Sequence, residues 1–215
     1  MVSVDWREYA NRLNDRESEA VRTLTLHAMA NRIPIMRLEA MALVEQFLRL
    51  KQPKRILEIG TAIGWSALKM ALAAGPESRI TTVERDPQMV EEALKNIRSF
   101  GLESQIDVLS GDVLTMHDAL SERAPYDFIL IDAGKAHYQA YFTLVAPLIE
   151  ATGVIICDNV FLRGFVLEPD EAPKRWRKLS HKMHDFNRWL SQNEAFDTIF
   201  VPIGDGLSVS IRKNE

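Results

Sequence analysis

With 215 residues, 47% of them hydrophobic and 26% charged, the chain has ordinary globular composition and the length of one sizeable α/β domain. No apolar run approaches the roughly 20 residues of a membrane span, and the charged opening "MVSVDWREYANRLNDRESEA" has no apolar signal-peptide core, which argues against membrane insertion and secretion. A net charge of −4 excludes a uniformly basic nucleic-acid binder but not a local basic face, and the single cysteine, Cys157, excludes an intramolecular disulfide; a cytoplasmic location is expected.

Residues 15 to 31 read as a helix, Pro34 interrupts the pattern, and Leu38, Met41, Ala42, Glu45 and Leu48 resume helical spacing to about Leu50. From there "RILEI", "RITTVE", "QIDVLS", "YDFILID" and "GVIICDN" read as strands, alternating with helices near 65 to 74, 87 to 100, 113 to 122 and 137 to 149. Such alternation implies βαβ units and a mostly parallel sheet. After a loop around 160 to 172, "PKRWRKLSHKMHDFNRW" reads as a helix with Lys174, Arg175, Arg177, Lys178, Lys182 and Arg188 against one acid, Asp185. "FDTIFVPIGDGLSVSIR" reads as two strands joined by a Gly-Asp-Gly turn. No repeat or linker divides the chain, so residues 1–215 are expected to form one domain, with helices in 1–50 ahead of a core from 51 to 215.

Ligands of open parallel sheets bind beyond the carboxyl ends of the strands, and here those ends are polar. The first strand runs into Glu58, Gly60, Thr61, Gly64 and Ser66, the second ends at Glu84, and the third leads to Asp112. A dinucleotide fingerprint fails because Ala62 stands at its second glycine. The spacing E-x-G-x-x-x-G lets backbone approach a ligand without a pyrophosphate cradle, and Glu84 is placed to bind vicinal ribose hydroxyls while repelling a 2'-phosphate. A nucleoside without phosphates fits, and S-adenosylmethionine is one, its cationic groups drawn to the carboxylates. Turn chemistry alone explains the glycines equally well; Glu84 and Asp112 at the next strand ends tip the balance.

The fourth and fifth strands end at Asp132, with Lys135 three residues on, and at Asp158 and Asn159. Asp132, Asp158 and Asn159 supply oxygen only, which suits Mg²⁺, Mn²⁺ or Ca²⁺ and disfavours zinc. Each alone reads more readily as a cap, yet two neighbouring carboxylates are costly without a cation. Lys135 is a candidate general base beside the ion. His181 and His184 read as a solvated helix face, Trp176 and Trp189 as core aromatics that could also stack on bases, and Cys157 as a buried core residue.

These residues resemble a known family. "ILEIGTAIGWSALKMA", "TTVERD", "GDV", "YDFILIDAGKAHY", "GVIICDNV" and "PIGDGLSVSIR" are similar to the class I metal-dependent O-methyltransferases, which include catechol and caffeoyl-CoA O-methyltransferases. Within that family, "IPIM", "QPKRILEIGTAIGWSA", "PKRWRKL", "NRWL" and "VPIGDGLSVS" most resemble the bacterial tRNA 5-hydroxyuridine methyltransferases. The resemblance spans roughly residues 30 to 213. It implies a Rossmann-like, mostly parallel seven-stranded sheet with an antiparallel C-terminal hairpin strand and helices on both faces.

It also implies Asp132, Asp158 and Asn159 as metal ligands and Lys135 and Asp132 as catalytic residues. Met36, Glu58, Gly60, Thr61, Ser66, Glu84 and Asp132 would bind S-adenosylmethionine, with Asp112 on the adenine side between Gly111 and Val113. Asp205 would approach the substrate, and Lys174, Arg175 and Arg177 would meet phosphates of a tRNA anticodon stem-loop. The implied activity is conversion of wobble 5-hydroxyuridine to 5-methoxyuridine in tRNA processing by a magnesium-dependent, cytoplasmic homodimer with no membrane partner. Two alternatives stand beside it: an O-methyltransferase of small catechol-like phenols, and a non-catalytic module that binds S-adenosylmethionine or RNA.

Overall fold

The computed structural model describes residues 6–213; the first five residues of the charged opening stretch and the last two of the chain lie outside the described residues. Three helices come first, α1 (Trp6–Asn14), α2 (Glu19–Ala30) and α3 (Leu38–Lys51). They lead into β1 (Arg55–Ile59), α4 (Trp65–Ala74), β2 (Arg79–Glu84), α5 (Pro87–Ser99), β3 (Ile106–Ser110), α6 (His117–Ser121) and β4 (Tyr126–Ile131). The chain ends with α7 (Tyr138–Val145), β5 (Ile149–Cys157), α8 (Lys174–Ser191), β6 (Phe196–Val201) and β7 (Leu207–Arg212). The seven strands form one sheet in the order β3-β2-β1-β4-β5-β7-β6. β1 to β5 are parallel, whereas β7 runs antiparallel to both β5 and β6. Strand order reverses between β1 and β4, the crevice where open α/β sheets place their ligands.

The central strands are apolar on both faces because both faces are covered. Ile56, Phe128, Leu130 and Ile156 point into one core with α2, α3, α4 and α5, while Leu57, Ile59, Ile129, Ile131 and Ile155 point into the other with α6, α7 and α8. The N-terminal helices are clamped to the first face by buried polar contacts. Trp65 donates its indole N–H to Thr25 Oγ1 at 2.8 Å, and the buried Lys69 ammonium pairs with Glu17 at 2.7 Å and Glu45 at 3.1 Å. Removing one partner of such a buried pair costs about 3–5 kcal/mol, since it strands the remaining charge. Between the clamped α2 and α3, Pro34, Ile35 and Met36 reach the carboxyl ends of the strands.

The sheet, hairpin and most helices follow the sequence pattern, with four differences. The helix expected over 15–31 begins only at Glu19, because Ser18 caps it by accepting from the Val21 N–H at 3.4 Å; the short α1, with few apolar residues, precedes it. The helix expected over 113–122 breaks at Met116 into a 3₁₀ turn and the short α6, the turn being capped by the Asp112 carboxylate. The helix expected over 137–149 ends at Val145, and Pro147, which has no N–H to give, turns the next residues into a 3₁₀ turn. β5 therefore starts at Ile149, ahead of the expected Gly153. Among the described residues no helix is long and apolar enough to cross a membrane.

Candidate functional site

A cavity of about 280 Å³ opens at the carboxyl ends of β1, β2 and β4. Its walls include Met36, Gly60, Thr61, Ser66, Glu84, Gly111, Asp112, Val113, Asp132, Lys135 and Asn159, which places most of the residues expected to hold a cofactor around one space. Gly60 (φ 105°) is required there by the protein's own packing: a Cβ would lie 2.1 Å from the Asp132 carbonyl oxygen, so only glycine lets the loop after β1 rest on the end of β4. Ala62 follows in a left-handed conformation (φ 46°), a strain of order 1 kcal/mol. Its N–H donates to Glu84 Oε2 at 2.9 Å, while Glu84 Oε1 accepts from the N–H groups of Arg85 and Asp86. Three of about four lone-pair positions on that carboxylate are thus committed, leaving about one for a ligand hydroxyl. The N-terminus of α4 carries no side-chain cap, so its free N–H groups at the cavity suit a carboxylate.

Glu58 lies apart from this wall. It is fully buried beneath it, accepting a hydrogen bond from Thr82 Oγ1 at 2.6 Å, and Thr82 is in turn 2.6 Å from the hydroxyl of Thr61 on the cavity surface. Burial, with added repulsion from Asp132 and Glu84, pushes the Glu58 carboxyl up to about 7 against the hydrogen bonds from Ser66 and Thr82.

The second group of acids forms where β4 and β5 end. Ile131 pairs with Cys157 in parallel register, so Asp132 and Asp158 leave adjacent strands side by side, on backbones about 5 Å apart. Asp158 is fully buried; Oδ1 accepts from the Asn159 N–H at 2.6 Å, and Oδ2 has no hydrogen-bond partner. Burial first, and then the Asp132 charge, hold Asp158 well above the usual carboxylate range. Burial raises Asp132 as well, opposed by Lys135, whose Nζ lies 3.6 Å from Asp132 Oδ1. Two neighbouring carboxylates and an orphaned buried oxygen are an arrangement that could hold a cation. The donor set of two carboxylates and the Asn159 amide fits a hard divalent ion.

The neighbouring side chains are spoken for. Tyr138 donates its hydroxyl to the Asp158 carbonyl at 2.9 Å, the Cys157 thiol is pushed up to about 12 by burial, His181 pairs with Asp170, and His184 Nδ1 lies 2.9 Å from the Val166 carbonyl.

Asp205 stands just outside the cavity in the turn between β6 and β7. Gly206 of that turn (φ 86°) must be glycine, since a Cβ would lie 2.4 Å from the Phe161 ring. Three hydrogen bonds stitch the turn to the loop after Asp158 and Asn159: the Val160 N–H donates to the Gly206 carbonyl, the Phe161 N–H to the Asp205 carbonyl, and the Arg163 N–H to Asp205 Oδ1. Burial raises the Asp205 carboxyl, and the cations Lys135, Arg163 and Arg37 oppose that rise. Lys174, Arg175 and Arg177 do not reach the cavity; they are exposed on α8. The helix meets the site through Lys182, which donates to the Ala136 carbonyl next to Lys135 at 3.3 Å. Trp189 packs edge-on to Phe142 in the core, whereas Trp176 remains at the surface edge against Phe165. Tyr141 and Trp65 also line the cavity, unsuspected from sequence because an aromatic at helical spacing looks like any core residue.

A family model described as O-methyltransferase matches residues 11–213. The catechol O-methyltransferase of Niastella koreensis is 35% identical over 172 residues, covering 77% of this chain and 76% of that protein. A candidate caffeoyl-CoA O-methyltransferase of Staphylococcus aureus has a crystal structure that matches with a TM-score of 0.89 at 33% identity, over 96% of this chain and 98% of that one. TomG, an O-methyltransferase of Streptomyces achromogenes involved in tomaymycin synthesis and solved with S-adenosylmethionine, matches with a TM-score of 0.79 at 26% identity, over 96% of this chain and 95% of that one.

Proposed function

The chain belongs to the O-methyltransferase family, and from that premise we propose that it transfers the methyl group of S-adenosylmethionine, with a divalent ion, to 5-hydroxyuridine at the wobble position of tRNA. The observation that carries the methyltransferase chemistry is the adjacency of two features: the phosphate-free nucleoside cradle around Glu84, and the Asp132–Asp158 pair with its orphaned oxygen. In this reading Glu84 accepts from the donor ribose, Asp112 edges the adenine side, and the α4 N-terminus takes the methionine carboxylate.

Asp132, Asp158 and Asn159 would hold the ion. When bound, it supplies a Lewis acid that favours the ionised form of an acceptor hydroxyl. Lys135, at the mouth of the same cavity, takes or relays the hydroxyl proton. Gly60, Asp132 and the 33–36 segment fix the donor against the acceptor, and such positioning supplies much of the rate in a single displacement.

The RNA acceptor is supported by α8. Its six cations, Lys174, Arg175, Arg177, Lys178, Lys182 and Arg188, are exposed, and none has a carboxylate partner among the described residues. Six such groups on one helix face fit a phosphate backbone, whose binding weakens steeply with salt. A small catechol is the second reading, favoured by the Niastella koreensis relative; like the 5-hydroxyl and 4-carbonyl of a 5-hydroxyuracil ring, it offers two adjacent oxygens. Nucleoside analysis of tRNA from a strain lacking the gene separates the two. Loss of 5-methoxyuridine with accumulation of 5-hydroxyuridine supports the tRNA reading; unchanged modification supports the phenol.

A further inference from the structure

The loop that leaves the Asp158–Asn159 strand end takes an unusual path. Leu162 (φ 44°) and Arg163 (φ 59°) are consecutive left-handed residues, followed by Gly164 (φ 83°). L side chains rarely adopt this conformation, so the surrounding contacts must hold it. They do: the Arg163 N–H is bound by the Asp205 carboxylate, and the Phe161 ring lies over Gly206.

The result of this path is the position of one side chain. Arg163 projects to the surface with its guanidinium 5.3 Å from the centre of the Trp176 ring. Arg175, from the first turn of α8, approaches the same ring at 5.8 Å. Both arginines are exposed, and neither has a carboxylate partner among the described residues. Two cations gathered on one indole repel each other, and their side-chain donors, which no carboxylate among the described residues takes up in an ion pair, suit an anion with several oxygens. The indole can hold a guanidinium plane in place while its edge donors stay free. Arg163 also lies between the two regions that an RNA acceptor must reach, with Asp205 on the cavity side and the basic face of α8 on the other.

We propose that Arg163, held by Asp205 and set against the Trp176 ring, is an acceptor-recognition residue that binds the phosphate backbone next to the target nucleotide and so sets the register of the RNA strand. The proposal rests on the tRNA reading above and adds a residue that neither the strand-end motifs nor the basic run of α8 contains. Arg163 does not touch the reacting atoms, so its contribution falls in RNA affinity and its salt dependence.

The experiment is binding of an anticodon stem-loop RNA by fluorescence anisotropy across a salt series, for wild type, Arg163→Ala and Arg163→Lys. Calorimetric binding of S-adenosylhomocysteine serves as the check on folding. Arg163→Ala is expected to weaken RNA binding about tenfold and to lower the slope of log affinity against log salt by about one. Arg163→Lys is expected to restore the slope but only part of the affinity, because an ammonium keeps the charge and loses the planar guanidinium. RNA affinity within about twofold of wild type, or an unchanged slope in Arg163→Ala, overturns the inference. An equal loss of S-adenosylhomocysteine binding in both variants also overturns it, by marking a structural role. Wild-type protein that does not bind the RNA overturns the tRNA reading itself, and this inference with it; RNA binding that Arg163→Ala leaves intact overturns this inference alone.

Discussion

The donor cradle and the acceptor face adjoin at one end of the sheet, yet they are built on different terms. The cradle is made of strand ends and the few residues after them: Gly60 against the Asp132 backbone, Ala62 on Glu84, Asp112 capping the next turn. Each piece sits at a strand end or within a few residues of one, and the parallel register of the sheet brings the pieces together. The proposed acceptor face is assembled from the 159–164 loop, the 203–206 turn and α8, and its exposed cations have no carboxylate ion-pair partner among the described residues. The cradle carboxylate is largely committed to the fold's own backbone, whereas the proposed acceptor face leaves cations without carboxylate ion-pair partners among the described residues. Substitutions should therefore separate the two, with the shared Asp132–Asp158 edge most sensitive of all.

The largest effect is expected for Asp158→Asn. Turnover should fall about a thousandfold, as several kcal/mol of charge stabilisation is withdrawn, while donor binding by calorimetry changes little. Thermal stability should rise near neutral pH, because a buried carboxylate held above its usual range stabilises the fold less as pH increases. Lys135→Ala comes next: a loss of about a hundredfold in kcat, at the lower end of what a positioned proton acceptor contributes. Donor affinity should again be retained.

Glu84→Ala reverses the pattern. It should weaken donor binding about tenfold to a hundredfold, since charge-assisted hydrogen bonds contribute about 1.5–3 kcal/mol each, and it should leave RNA binding by anisotropy untouched. Equal losses in both measurements would dissolve the distinction between cradle and acceptor face.

Glu58→Gln should affect turnover least and show itself in stability. Burial lifts the Glu58 carboxyl from its ordinary 4.5 to about 7 in the folded chain. Between those values the folded form holds a proton that the unfolded form releases, so the stabilisation is full below about pH 4.5, declines towards pH 7 and is absent above. The span corresponds to about 3 kcal/mol. Denaturant titrations at several pH values should show that decline in wild type and a flatter profile in Glu58→Gln.

The same contrast explains what could be read from the sequence. β1, β2, β4, β5 and their terminal acids were legible because each is an apolar run stopping at a polar residue, a signal contained within ten positions. That Glu84, Asp112 and Asp132 share one cavity follows from parallel register, which the alternation of strands and helices implies. Glu58 looked the same as Glu84 in the sequence, but at the fourth position of β1 it points beneath the wall rather than onto it. Tyr141 and Arg163 were hidden for different reasons: the first resembles a core aromatic, and the second acquires its place only through a left-handed turn that Asp205 holds from 42 positions away. Pro147 and Met116 show the limit of periodicity, since both helices they shorten look continuous by hydrophobic spacing alone.

The most direct test is Mn²⁺ binding followed by electron paramagnetic resonance in the presence of S-adenosylhomocysteine, comparing wild type with Asp158→Asn. One ion bound per chain in the wild type and none at the same concentrations in the variant is the expected result. Equal binding by both proteins, or no binding by the wild type, would contradict a cation site formed by the ends of β4 and β5 beside the donor.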